Sequence, residues 1–504
     1  MRYAKHLMNE KQKKKVVVAG AGISGLSAAI YAQRSGFDVT LVEQHSIAGG
    51  MCTSWRRKGY LFEGAVHWLT GSSPKTELHQ LWKETGALNE NVKILLPDPF
   101  YAVEHEGQNL SLYRDIKKTA EQLTAISPKD KKQLQRLVAD VKALSCIQMP
   151  VFDIKGVKTQ NPRHMTLGAF LKMLPAILKM AKLNKFSCKD YALRFKHSGI
   201  QRLFRMIPDD NFSAVALIAT LSTLDIGDGG YPEGGSLAMI DRMVKTFESL
   251  GGKLLLKTQV KKVNIENSAA SGVTLADRII PADAVIITQE TIAAVTKLFD
   301  VPLPDPWLAD LCQNTKLAVC TFISVGIRLE IPQAQTPVWK LDEPITYAGR
   351  TVTEMSFNNY SGYKGYAPEG GTALTSFLIG DTYDFWKQAK DSGAYEKEKQ
   401  ALADQIERAI CKKYPQAKGK IEVIDIATPL TYERYTGAHR GSWMSVSAVG
   451  YKMKAYPGFT KSVKGLYFAG HRLMSPGGLP IAIDSGRKAA QMVCRQFGHE
   501  FVKS

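Results

Sequence analysis

Residues 15–43 constrain this chain more than any other stretch, because they read as strand, glycine turn, helix and strand in immediate succession. Val16, Val17, Val18 and Ala19 form an apolar run rich in β-branched side chains. Gly20-Ala21-Gly22-Ile23-Ser24-Gly25 follows as a GxGxxG turn, residues 26–35 have helix-forming composition, and residues 38–42 make a second strand that leads to Glu43. The glycines serve different ends. Gly20 permits the tight turn, Gly22 lets the backbone approach a pyrophosphate, and Gly25 lets the helix lie close on the strand. Ile23 and Ser24 open the helix, whose unpaired N–H groups and dipole favour an anion. Glu43, 23 residues after Gly20, is placed to accept hydrogen bonds from a ribose diol, and its charge repels a 2′-phosphate. The spacing predicts an α/β dinucleotide-binding fold.

Length and charge bound the rest. The 504 residues leave room for about two or three domains. Lysine and arginine total 66 against 47 acids, a net charge of +19, so the surface attracts something anionic. No helix-turn-helix, zinc-finger or RNP pattern accompanies that charge, which sets nucleic acid aside as a partner. The seven cysteines are an odd number without a CxxC pair, and they read as reduced cytosolic thiols with no metal site. Lys11, Lys13, Lys14 and Lys15 have no apolar segment of their own behind them, which argues against a secretory signal and for a cytoplasmic protein. The longest apolar runs, such as 318–327, are far short of the roughly 18 residues needed to span a bilayer.

One stretch suggests a peripheral membrane contact. In residues 165–186, Leu167, Phe170, Leu171, Leu174, Ile177, Leu178 and Met180 alternate with Lys172, Lys179, Lys182 and Lys185, and acids are absent. Such a basic amphipathic segment suits an anionic membrane surface. Pro175 is expected to kink it or split it in two.

Further signatures follow at intervals. Gly49-Gly50-Met51-Cys52-Thr53-Ser54-Trp55 comes just past the ribose-binding strand, where adjacent glycines let a loop pass close to cofactor phosphates. Gly59-Tyr60-Leu61-Phe62-Glu63-Gly64-Ala65-Val66-His67-Trp68 comes next. Tyr231-Pro232-Glu233-Gly234-Gly235 precedes an amphipathic helix and a strand pair reaching Val260. Thr428-Pro429-Leu430-Thr431-Tyr432-Glu433-Arg434-Tyr435 lies further on, and Gly470-His471 and Ser475-Pro476-Gly477-Gly478-Leu479-Pro480 close the series before a last helix. In this order the signatures resemble the phytoene desaturase, carotenoid isomerase and retinol saturase group of FAD-dependent oxidoreductases.

The resemblance implies an FAD-binding Rossmann-like domain of the glutathione-reductase and amine-oxidase type, joined to a substrate domain with a mixed or antiparallel sheet and helices. The FAD domain is expected from residues 14–75, 225–295 and 425–500, and the substrate domain from 76–224 and 296–424, with membrane-facing helices near 165–187. Gly20, Gly22, Ile23, Ser24, Gly25, Glu43, Gly50, Met51, His67, Val260, Gly470, His471, Gly478 and Leu479 are the expected FAD-binding set, with the Val260 backbone against adenine and the last helix tip beside the flavin pyrimidine ring. His471 departs from the acidic or small polar residue usual there. His67 and Tyr435 are the candidates for proton handling. No second GxGxxG follows a strand, so an NAD(P) site is not expected.

The reaction implied is desaturation, saturation or isomerisation of C–C and C=C bonds in an apolar polyene, isoprenoid or related lipid. A flavin amine oxidase on the same fold, or a non-catalytic lipid-binding relative that uses no flavin, are the alternatives. The sequence carries no signal for an oligomeric state.

Overall fold

A computed structural model describes residues 13–147, 149–205, 210–446, 448–450, 454–475 and 477–504. Most of the basic N-terminal arm, Lys11 included, and Pro476 lie outside the described residues.

Five parallel strands form the first sheet, in the order Lys253–Leu255, Asp38–Val42, Lys15–Ala19, Ala284–Ile287 and Leu466–Phe468. The strand that begins the GxGxxG stretch is central. Val16 to Ala19 run apolar without alternation because neighbours cover both faces, and all four are buried. Helix Ile23–Arg34 is buried over its first ten residues and packs against helix Leu479–Phe497. A Cβ at Gly486 would stand 2.2 Å from the Ser24 carbonyl oxygen, which is why the later helix carries glycine at that crossing.

The second sheet is antiparallel, in the order Asn358–Asn359, Thr372–Ile379, Cys320–Ile327 and Ile421–Ala427. Helix Tyr395–Lys413 buries Leu402, Ile406 and Ile410 in the same core as its Ile323, Val325 and Leu374. A third core gathers hairpin Tyr101–His105/Gln108–Leu112 with helices Ile116–Ile126, Lys131–Leu144 and Ala214–Asp225. Helix Leu167–Leu183 lies against this core and is continuous, so Pro175 does not split it.

Two stretches expected with the substrate domain pack on the parallel-sheet body instead. The first is helix Glu77–Glu84, whose Glu84 accepts a 2.5 Å hydrogen bond from Tyr31. In the second, the Asp153 carboxylate is enclosed by Arg487 at 2.5 Å, Gln491 at 2.6 Å and Lys503 at 3.2 Å, all from the C-terminal end. Both anchors join residues far apart in sequence, which no local pattern reveals.

Burial alone would raise the Asp153 carboxyl, but the Arg163 N–H and the charges of Arg487 and Lys503 outweigh it and hold the group down at about 2. A depressed carboxyl stabilises the fold fully above its unfolded value near 4 and loses that contribution as pH falls toward 2. Asp153→Asn therefore destabilises the protein at neutral pH. In urea unfolding, the gap between variant and wild type narrows only below about pH 4.

Candidate cofactor and active site

The three glycines of the fingerprint sit in different surroundings. Gly20 has φ +108°, and a Cβ there would meet Thr288 Oγ1 at 2.8 Å; a Cβ at Gly25 would stand 1.8 Å from the Gly20 carbonyl oxygen. Both are packed shut. Gly22 is different: a Cβ would meet only the Gly49 carbonyl oxygen, at an ordinary 3.6 Å. The Gly49-Gly50 loop folds over this point, with Gly49 N–H donating to the Ala21 carbonyl at 2.8 Å. Gly50 has φ +59°, and a Cβ on it would lie 3.4 Å from Gly22 Cα. Backbone without side chains thus faces the N-terminus of helix Ile23–Arg34, where a diphosphate finds unpaired N–H donors.

Glu43 ends up buried beside the turn. Its Oε2 accepts from Ala21 N–H at 2.8 Å and its Oε1 from His45 N–H at 2.9 Å. Each carboxylate oxygen keeps a second acceptor site, enough for a ribose diol. Thr258 N–H donates to the Glu43 carbonyl at 2.8 Å, which brings the segment carrying buried Val260 to the same end.

The second open stretch is the C-terminal signature. Nothing lies within 4 Å of a Cβ built on Gly470, and on Gly478 it would meet only Pro480 Cδ at 3.7 Å. Ser485 Oγ accepts the Gly470 N–H at 2.9 Å, tying the end of strand Leu466–Phe468 to helix Leu479–Phe497. Leu479 begins that helix with Pro480 behind it, so the helix tip is presented where the glycines leave room. His471 is neutral: burial, and then the charge of adjacent Arg472, push its imidazole down to about 3. Glycine-lined openings therefore stand at both helix tips, and the first suits a diphosphate.

His67 closes the far side. Glu63, fully buried, accepts from Ala65 N–H at 3.0 Å, Val66 N–H at 3.1 Å and Ser236 N–H at 2.9 Å, and so pins the loop leading to His67 onto the start of helix Gly235–Ser249. The His67 ring lies 5.6 Å from Phe377, and Phe377 lies 6.2 Å from Trp443. Burial pushes the His67 imidazole down to about 4. The main chain next to Trp443 is fixed by Arg472, which donates to the Met444 carbonyl at 2.8 Å and to Ser445 Oγ at 2.9 Å while pairing with buried Glu290 at 3.1 Å. An aromatic wall therefore runs from His67 to the C-terminal signature.

Tyr435 is elsewhere. It is exposed, stacks edge-on with His45 at 5.3 Å and accepts from Arg434 at 2.6 Å. That places it at the Glu43 end, away from the His67 wall. Nothing in the sequence singles out Asn358, Phe377 or Trp443, which sit on sheet strands and loops with no motif around them. Arg472 follows directly on the Gly470-His471 signature, yet its partner Glu290 is 182 residues away.

The family described as flavin containing amine oxidoreductase matches residues 23–494. The chain belongs to that family. FAD is its cofactor, in keeping with the open glycines and Glu43. Phytoene desaturase (lycopene-forming) of Paracoccus sp. is 28% identical over 280 residues, 54% of this chain and 54% of that protein. The chain thus aligns with about half the length of that relative. Prolycopene isomerase of Daucus carota is 24% identical over 515 residues, 96% of this chain and 80% of that protein. A cofactor-binding variant of putrescine oxidase shares the fold with TM-score 0.61 at 18% identity, covering 95% of this chain and 98% of that one. The resemblance drawn from the spaced signatures stands, and so does the FAD-binding Rossmann-like fold.

Proposed function

We propose that this flavin containing amine oxidoreductase acts on C–C and C=C bonds of an apolar polyene, isoprenoid or related lipid, by desaturation, saturation or isomerisation. The observation that carries the reading is the aromatic, low-polarity wall of His67, Phe377 and Trp443 beside the C-terminal signature. It suits a hydrocarbon without charged anchors, and the relatives named above are a phytoene desaturase and a prolycopene isomerase. When bound, FAD supplies hydride exchange at N5. The chain's own residues orient the substrate, exclude water and keep both nearby imidazoles neutral. The FAD-binding body comprises 14–75, 225–295 and 425–500 together with 77–95 and 149–163, and the remaining parts of 76–224 and 296–424 hold the substrate.

His67 borders the reacting region in this reading. His67→Ala is expected to lower turnover tenfold or more with FAD still bound, measured as kcat on a saturating polyene. Unchanged turnover would remove the ring from the reaction. Tyr435, at the adenosine end, is expected to matter for FAD affinity and not for the chemical step. The putrescine oxidase likeness shows the fold, so amines belong in the same substrate panel: peroxide release with an amine, and none with polyenes, would overturn the polyene reading.

Among the described residues no helix is long and apolar enough to cross a membrane. Helix Leu167–Leu183 supports a contact of another kind. Among its described side chains only Ala176 and Leu183 are buried, while Leu167, Phe170, Leu171, Leu174, Ile177 and Leu178 are exposed beside Lys172 and Lys182. Water is a poor partner for six large apolar side chains on one helix, and an anionic membrane surface satisfies both them and the lysines. The protein is expected to float with anionic liposomes at low salt, and Leu171→Glu with Leu178→Glu to abolish flotation. A protein that stays soluble in the flotation assay whatever the lipid composition would contradict the contact.

A further inference from the structure

His67 Nδ1 lies 3.1 Å from the side-chain Nδ2 of Asn358. An amide nitrogen donates and does not accept, so Nδ1 must be the acceptor of this bond. Burial keeps the ring neutral, and a neutral imidazole whose Nδ1 lone pair is occupied carries its one proton on Nε2. Nε2 has no protein partner among the described residues.

The second sheet holds this arrangement. Asn358 pairs with Thr375 across the sheet edge, and Phe377 is two residues further along the same strand, so Asn358 and Phe377 stand on one face. Both reach the His67 ring, one by hydrogen bond and one by ring contact. From the opposite side Glu63 fixes the backbone at Ala65 and Val66. The ring is thus held from two bodies.

We infer that Asn358 is a positioning residue that fixes His67 as the neutral Nε2–H tautomer, so that the edge presented to the reacting region is a hydrogen-bond donor and not a base. The inference rests on the reading of His67 as a border of that region. It replaces general proton handling with a narrower role. Accepting a proton would require Nδ1 to give up Asn358, and releasing the Nε2 proton would leave an imidazolate with no cation beside it among the described residues. What the ring contributes is a fixed N–H dipole.

The test is the nitrogen spectrum of the FAD-loaded full-length protein labelled with 15N in its histidine rings, the His67 signals being assigned by their loss in His67→Gln. The wild type is expected to show the proton on Nε2 and a bare Nδ1. Asn358→Asp, nearly the same shape but able only to accept, should move the proton to Nδ1; Asn358→Ala should populate both tautomers. A wild-type ring protonated on Nδ1 overturns the inference, as does a ring in either variant that keeps the wild-type pattern. The spectrum needs neither substrate nor turnover, so a wrong substrate class leaves it unchanged, while a wrong tautomer leaves the polyene panel unchanged.

Discussion

Replacing Gly22 with valine gives a folded, colourless protein. The backbone there has φ −76° and ψ −176°, which any residue adopts, and the added side chain starts from a Cβ that meets only the Gly49 carbonyl oxygen at 3.6 Å. The fold has no reason to fail. The isopropyl group nevertheless occupies the gap between the Gly49-Gly50 loop and the tip of helix Ile23–Arg34, where the diphosphate must approach backbone N–H groups. FAD affinity is expected to fall about a hundredfold or more, roughly 3 kcal/mol, read by fluorescence titration of apoprotein with an unchanged circular dichroism spectrum. Gly25→Val provides the contrast. Its Cβ would stand 1.8 Å from the Gly20 carbonyl oxygen, and no side-chain movement relieves a clash with backbone. That variant should not yield folded protein.

Arg472→Leu is the second large effect. The guanidinium and Glu290 are both almost completely enclosed, at 1% and 3% side-chain exposure, so the substitution leaves a buried carboxylate without its cation. It also strips the partners from Ser445 Oγ and the Met444 carbonyl. Breaking one side of a buried pair costs about 3–5 kcal/mol, to be read as a shift of the urea midpoint. Changing Glu290 to Gln in the same protein removes the stranded charge and should restore part of the loss. A single variant with wild-type stability would show that water reaches this pair.

The glycine-lined openings were legible in the sequence because their residues lie in contiguous runs whose spacing is set by backbone geometry. Gly20, Gly22 and Gly25 do different jobs within six positions, and the open approach at Gly470 and Gly478 follows from glycines just before a helix. The antiparallel second sheet agrees with the mixed or antiparallel sheet that the family resemblance implies for the substrate domain. The aromatic wall was not. Phe377, Trp443 and Asn358 come from three segments with no shared motif, and only the registration of the sheet with the Glu63-anchored loop brings them to His67. Tyr435 illustrates the reverse: it sits inside a signature, but the helix Pro429–Thr436 carries it to the surface beside His45. Helix Leu167–Leu183 runs on through Pro175, whose ring carries no N–H for an intrahelical bond.

The most direct measurement is the visible spectrum of the purified protein during anaerobic addition of acyclic polyenes of graded saturation. The protein is expected to be yellow and to release one FAD per chain on denaturation, and its flavin band to bleach with a saturated member of the series or, once reduced, to recover with a more unsaturated one. A folded protein that takes up no FAD on reconstitution, or a bound flavin that responds to amines and to no polyene, would contradict this.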